Sequence, residues 1–214
     1  MVKKTPIEAF ANIRRSGVIA INLRAEDHLV SAQDVSDESE IVLVSQAGMA
    51  NRFTVGDLRT ASRSSGGVRG LRVSGDEIVG MDRVEVDDYL LSVSEKGYGK
   101  LTRVNSIPIH KRGGKGLRVH RVGFETGKLA VARLVPPQGS LVLLSSSANI
   151  VVIPLEQVSV QSRNARGVKL ISLEKGETVM SVSSTGQIEL ATAEQAACGQ
   201  RMSISPQSHR GIAR

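Results

Sequence analysis

The 214-residue chain repeats itself with a period close to 50 residues, and that constrains its fold more than any single motif does. A glycine followed by a β-prone run recurs at Gly17-Val18-Ile19-Ala20-Ile21, Gly67-Val68-Arg69-Gly70-Leu71, Gly116-Leu117-Arg118-Val119 and Gly167-Val168-Lys169-Leu170-Ile171, at spacings of 50, 49 and 51 residues. In the last three copies an arginine (Arg63, Arg112, Arg163) stands four residues before the glycine. An apolar pair three apart keeps the same period: Ile7/Phe10, Val55/Leu58, Val104/Ile107 and Leu155/Val158. A third marker is an apolar run entering a turn, at Ile41-Val42-Leu43-Val44, Leu90-Leu91-Ser92-Val93 and Leu141-Val142-Leu143-Leu144. Units this small cannot bury a hydrophobic face alone, so they must stack on their neighbours.

Within a repeat the texture is short β-branched runs broken by Gly, Ser, Asn and Asp. Val68, Leu71 and Val73 form one run and Ile78, Val79 and Met81 another, split by Ser74-Gly75-Asp76. Val68 and Val168 are assigned to inward-facing strand positions. Helical candidates reduce to one turn over 6–10 and a short helix over 191–197. About four strands per unit of roughly 50 residues is the arithmetic of a propeller blade. The expectation is an all-β, propeller-like fold of about four blades or a partial disc, with units over 1–40, 41–88, 89–140 and 141–187. Residues 188–214 are expected to form a polar, basic and partly flexible tail. A β-sandwich with accidental periodicity would not keep three markers in phase.

The charges follow the repeat. The net charge is +7, and 17 of the 28 cationic residues fall in four windows, 9–25, 59–73, 100–124 and 157–173, that contain no carboxylate. Equivalent loops of a radial repeat share one part of the disc, so these windows are expected to merge into a positive rim suited to phosphate. With three Phe, two Tyr and no Trp, the chain has little to stack on bases, so duplex is the expected nucleic acid rather than single strands. The single cysteine, Cys198, excludes an intramolecular disulfide and a thiolate zinc cluster. No apolar stretch approaches the ~20 residues of a membrane span, and Met1 to Pro6 lead into no apolar core. A cytoplasmic, nucleoid-associated protein without membrane contact is expected.

The strongest candidate site is the loop Lys111-Arg112-Gly113-Gly114-Lys115-Gly116. Its glycines let backbone N–H groups approach a phosphate, and three cations flank them. Arg63, Arg69, Arg163, Arg166, Lys169, Arg14 and Arg15 are the candidates from equivalent loops. No catalytic motif is present: the chain lacks Gly-x-x-x-x-Gly-Lys-Ser/Thr, His-Glu-x-x-His and Gly-x-Ser-x-Gly. Its four histidines have no metal-ligand spacing. No catalytic residue, cofactor or metal is expected.

Val2-Lys3-Lys4-Thr5-Pro6, Gly97-Tyr98-Gly99-Lys100-Leu101-Thr102, His110 to Gly116 and Val158 to Val168 occur in an order that resembles the C-terminal domain of the A subunit of bacterial DNA gyrase. The resemblance runs from Val2 to about Ser184. It implies a β-pinwheel, a propeller-like disc whose blades exchange strands, wrapping duplex DNA to support negative supercoiling without catalysis of its own. It also implies partners in an ATP-dependent topoisomerase: the ATPase (B) subunit, together with the remaining domains of the A subunit. That family usually has six blades and a defining Gln-Arg-Arg-Gly-Gly-Lys-Gly box. This chain opens like the middle of the third blade, so the first two blades are expected to be absent, and His110 to Gly116 resembles the related box of the fifth blade. The alternatives are a propeller-type scaffold that binds proteins and the C-terminal domain of the topoisomerase IV A subunit.

Overall fold

The computed structural model describes residues 1–13 and 15–185. Its strands, in chain order, are β1 (Glu40–Ser45), β2 (Met49–Thr54), β3 (Ile78–Arg83), β4 (Tyr89–Ser94), β5 (Tyr98–Arg103), β6 (Leu117–Arg118), β7 (Leu129–Val135), β8 (Ser140–Ser145), β9 (Ile150–Pro154), β10 (Val168–Lys169) and β11 (Val179–Thr185). The apolar runs of the repeat become β1, β4 and β8. Each turns back through a tight hairpin into β2, β5 or β9. The first two hairpins turn at Gly48 and Gly97, whose φ values of 75° and 80° suit a three-residue loop closed by a left-handed residue.

Three antiparallel sheets result, in the orders β3-β1-β2-β6, β10-β5-β4-β7 and β11-β8-β9. The outer strand of each four-stranded sheet is donated by the following repeat. Leu117 pairs with Ala50, and Val168 with Gly99. The sheets therefore interlock, as in a pinwheel.

Stacking explains why the apolar runs are continuous rather than alternating. In β1, Ile41 and Leu43 enter one core with Val2, Phe53, Val55, Leu58 and Leu71. Val42 and Val44 face the opposite way, into a core with Leu90, Ile107, Val119 and Leu129. Leu91 and Val93 of β4 reach a third core with Leu141, Leu143, Leu155 and Val182. A strand buried on both faces needs an apolar residue at nearly every position. The apolar pairs three apart are single 3-10 turns, at Ile7–Phe10, Val55–Asp57, Val104–Ser106 and Leu155–Gln157. A 3-10 turn brings residues i and i+3 to one side, and the last three turns bury both members of the pair.

Two expectations change. Residues 68–73 form no strand; Val68 makes only an isolated bridge to Val2. Val168 is 40% exposed, because β10 is a two-residue edge strand with both residues open to solvent. The first repeat has the pattern of a blade but builds no sheet among the described residues, and Ile13, Ile19, Leu23 and Leu29 remain exposed. The candidate helix over 191–197 and the tail lie outside the described residues.

Candidate nucleic-acid interface

Short parallel bridges, Lys4 to Thr60, Arg52 to Ile109 and Leu101 to Val160, lead the chain into three equivalent loops: 62–67, 111–116 and 162–167. Each ends on the marker glycine, which returns the chain against the neighbouring hairpin. Gly116 and Gly167 have left-handed φ values of 69° and 82°. A Cβ on Gly167 would lie 2.6 Å from the Gly99 carbonyl oxygen, and one on Gly67 would lie 2.7 Å from that of Val2. The periodic glycine thus marks a close approach of two backbones. Gly17 has the same conformation, φ 78°, but no heavy atom beyond its chain neighbours lies within 4 Å of its would-be Cβ.

Each loop is stitched to the segment that follows the marker glycine of the preceding repeat. The Gly113 N–H donates to the Gly70 carbonyl at 2.7 Å, and the Arg72 N–H donates to the Gly114 carbonyl at 2.8 Å. One repeat on, the Arg121 N–H donates to the Ala165 carbonyl at 3.1 Å. One repeat back, Asn22 Nδ2 donates to the Ser64 carbonyl at 2.8 Å and Arg63 Nη1 to that of Ile19 at 3.2 Å. Basic windows distant in sequence are therefore joined in pairs.

Lys111, Arg112, Gly114 and Lys115 are exposed, whereas Gly113 and Gly116 are half-buried against the neighbouring repeat. Arg112 Nε donates to the Asp57 carbonyl at 3.3 Å, and the Arg69 backbone lies beside Gly113. Arg69, Arg166 and Lys169 are exposed; Arg63 and Arg163 are half-buried. Arg166 is ion-paired with Glu125, and its guanidinium lies 5.9 Å from the centre of the Tyr98 ring. Arg15 is exposed, and no described hydrogen bond ties it to the other loops. Arg14 lies outside the described residues. A concavity of about 490 Å³ beside β1 and β3 is lined by Glu38, Glu40, Glu85 and Asp87 among others and contains none of these rim residues.

By its place in the carboxylate-free window 100–124, Lys100 is expected among the rim cations. The structure instead buries it completely, and burial pushes its ammonium pKa down to about 8. Beside it is a buried histidine, His120, whose Nδ1 lies 2.8 Å from Ser92 Oγ. Burial first, and the Lys100 charge second, lower the His120 pKa to about 4. The shared phase of Val2-Lys3-Lys4-Thr5 and Gly99-Lys100-Leu101-Thr102 was the available signal that Lys100 occupies an interior, repeated position.

Four segments, residues 1–36, 39–85, 88–119 and 139–185, match the family described as DNA gyrase C-terminal domain, beta-propeller. The chain belongs to the DNA gyrase C-terminal domain family. The DNA gyrase A subunit of Deinococcus deserti is 37% identical over 187 residues, covering 85% of this chain and 23% of that protein. The gyrase A subunit of Ureaplasma parvum is 34% identical over 183 residues, covering 85% of this chain and 22% of its own length. The chain thus spans less than a quarter of these gyrase relatives. Among solved structures, a DNA gyrase A C-terminal domain superposes with a TM-score of 0.72 at 31% identity, over 79% of this chain and 58% of that one. The C-terminal domain of DNA topoisomerase IV reaches a TM-score of 0.81 at 20% identity, over 87% and 59%, which is a likeness of fold.

Proposed function

We propose that this gyrase-family domain binds duplex DNA along its basic loops, bends it, and contributes to wrapping within a gyrase A subunit without catalysing a step itself. One observation carries this reading. Each glycine-containing basic loop is hydrogen-bonded to the segment that follows the marker glycine of the preceding repeat, so the basic windows of successive repeats lie side by side. A duplex presents a regular array of phosphates, and repeated cationic loops suit such an array without reading bases. The candidate contacts are Lys111, Arg112, Lys115, Arg63, Arg69, Arg163, Arg166 and Lys169, with Arg14 and Arg15 from the first repeat. In a complete enzyme the partners would be the ATPase subunit together with the remaining domains of the A subunit, and the bent DNA would serve negative supercoiling.

The test is a salt titration of duplex binding. Neutralising roughly six to eight phosphates gives a log–log slope near −5 to −7. A slope flatter than about −2, or tighter binding to single strands than to duplex, overturns the reading. Absence of duplex binding would leave the protein-scaffold alternative.

A further inference from the structure

Beneath the basic loops one interior position recurs with one chemistry. The pairings of Val2 with Val68, Ala50 with Leu117 and Gly99 with Val168 put Lys3, Asn51 and Lys100 at equivalent places in three repeats. Asn51 and Lys100 are fully buried and Lys3 is half-buried. Each sends its terminal nitrogen up into the loop above it. Lys3 Nζ donates to the carbonyls of Arg63 at 2.6 Å, Ser62 at 3.3 Å and Ser65 at 3.3 Å. Asn51 Nδ2 donates to the loop carbonyl of Lys111 at 3.3 Å and, at 3.0 Å, to that of Gly70 in the segment to which the loop is hydrogen-bonded. Lys100 Nζ donates to the carbonyls of Ser162 at 2.5 Å and Arg163 at 2.9 Å. Ser62, Lys111 and Ser162 are themselves equivalent, each two residues beyond its parallel bridge.

We infer that Lys3, Asn51 and Lys100 are positioning residues for phosphate recognition, holding the three basic loops from below so that their carbonyls point inward and their cations face solvent. The inference rests on the proposed function. A loop carbonyl oxygen facing a phosphate would repel it, so tying those oxygens to a buried donor removes an unfavourable contact. It also fixes the loop before DNA arrives, so less ordering is left for binding to oppose. A buried ammonium is stable only if its donors are satisfied, which makes the loop conformation and the buried lysine mutually dependent. The distribution of types fits this role. The loop with three cations of its own, Lys111, Arg112 and Lys115, sits on neutral Asn51. The loops carrying Arg63, and Arg163 with the ion-paired Arg166, sit on lysines whose positive charge adds to the potential above them.

The test uses the full chain and compares Lys100→Met, which keeps the apolar stem and removes the donors, with Lys100→Gln, which restores a neutral donor. Amide hydrogen exchange is read in 162–167 and in β4 and β5, alongside duplex affinity at fixed salt. In Lys100→Met, loop exchange should quicken by about tenfold and duplex affinity fall by about 3- to 10-fold, with β4 and β5 still protected. Lys100→Gln should recover part of both losses. Should Lys100→Met fail to fold, Lys3→Met makes the same comparison at 62–65, on the less buried member. Unchanged loop exchange overturns the inference, as does faster exchange spread evenly over β4 and β5. A parent that binds duplex, with a Lys100→Met chain whose loop is loosened but whose affinity is undiminished, overturns the positioning role alone. A parent that binds no duplex overturns the proposed function and the recognition role with it.

Discussion

Acid should weaken this fold through one buried histidine. In the unfolded chain His120 titrates near its ordinary value of 6.5; in the folded chain burial and the Lys100 ammonium hold its pKa near 4. Between those values the unfolded state binds more protons than the folded one, so stability falls as pH falls. The contribution is complete above pH 6.5 and is lost progressively as pH drops towards 4. A shift from 6.5 to about 4, at about 1.4 kcal/mol per unit, amounts to about 3 kcal/mol, with about 2 kcal/mol already gone at pH 5. That is a large share of the ~5–15 kcal/mol typical of a domain. Urea midpoints measured in steps from pH 7.5 to 4.5, for the parent and for His120→Gln, isolate the effect. The Glu177 carboxyl, held low first by its hydrogen bond to Ser145, also costs stability when protonated, but it does so equally in both proteins. The parent should lose about 2 kcal/mol more than the variant between pH 7 and pH 5. Parallel curves for the two proteins, or a ring titration of His120 with its midpoint above 6, would refute the reasoning.

Four further outcomes follow from the loops and the core. Gly167→Ala should cost about 1–3 kcal/mol in urea unfolding, because its φ of 82° is left-handed and the new Cβ meets the Gly99 carbonyl at 2.6 Å. Replacing Lys111, Arg112 and Lys115 together by Ala should lower the salt slope of duplex binding by about 3 while changing stability by no more than ~0.5 kcal/mol per site. Leu143→Ala, fully buried in the core shared by β4 and β8, should do the opposite, costing about 2–5 kcal/mol with the slope unchanged in the protein that remains folded. Glu125→Gln should tighten duplex binding severalfold by releasing Arg166 and removing a carboxylate beside it; unchanged affinity would place Arg166 off the DNA path.

The repeat was legible because its three markers answer to three separate physical demands. The apolar runs are strands buried on both faces. The apolar pairs are 3-10 turns, three of which bury both members. The glycine, in the last three copies, is a backbone-to-backbone contact. What the sequence hid depended on which residue lies across a sheet or beneath a loop. Val168 alternates correctly for a buried strand, yet β10 is an edge of two residues, both open to solvent. Lys100 sits in a window free of carboxylates and reads as a surface charge, but its register places it under the 162–167 loop. Glu125 falls one residue outside a basic window in sequence and beside Arg166 in space, across a strand exchange that no linear count can see.

That strand exchange ties stability and binding together more closely than either motif suggests. The marker glycine closes each basic loop and also begins the segment that pairs with the neighbouring hairpin at Ala50 or Gly99. The residue after each of those positions, Asn51 or Lys100, then reaches back to the loop carbonyls. One backbone contact between repeats therefore links the pairing of the sheets to the placement of the loops. A change there should not weaken DNA contacts one at a time. It should shift a whole loop relative to its neighbours, so variants at the glycines should lose affinity although they remove no charge, while variants at the exposed cations should lose it roughly charge by charge.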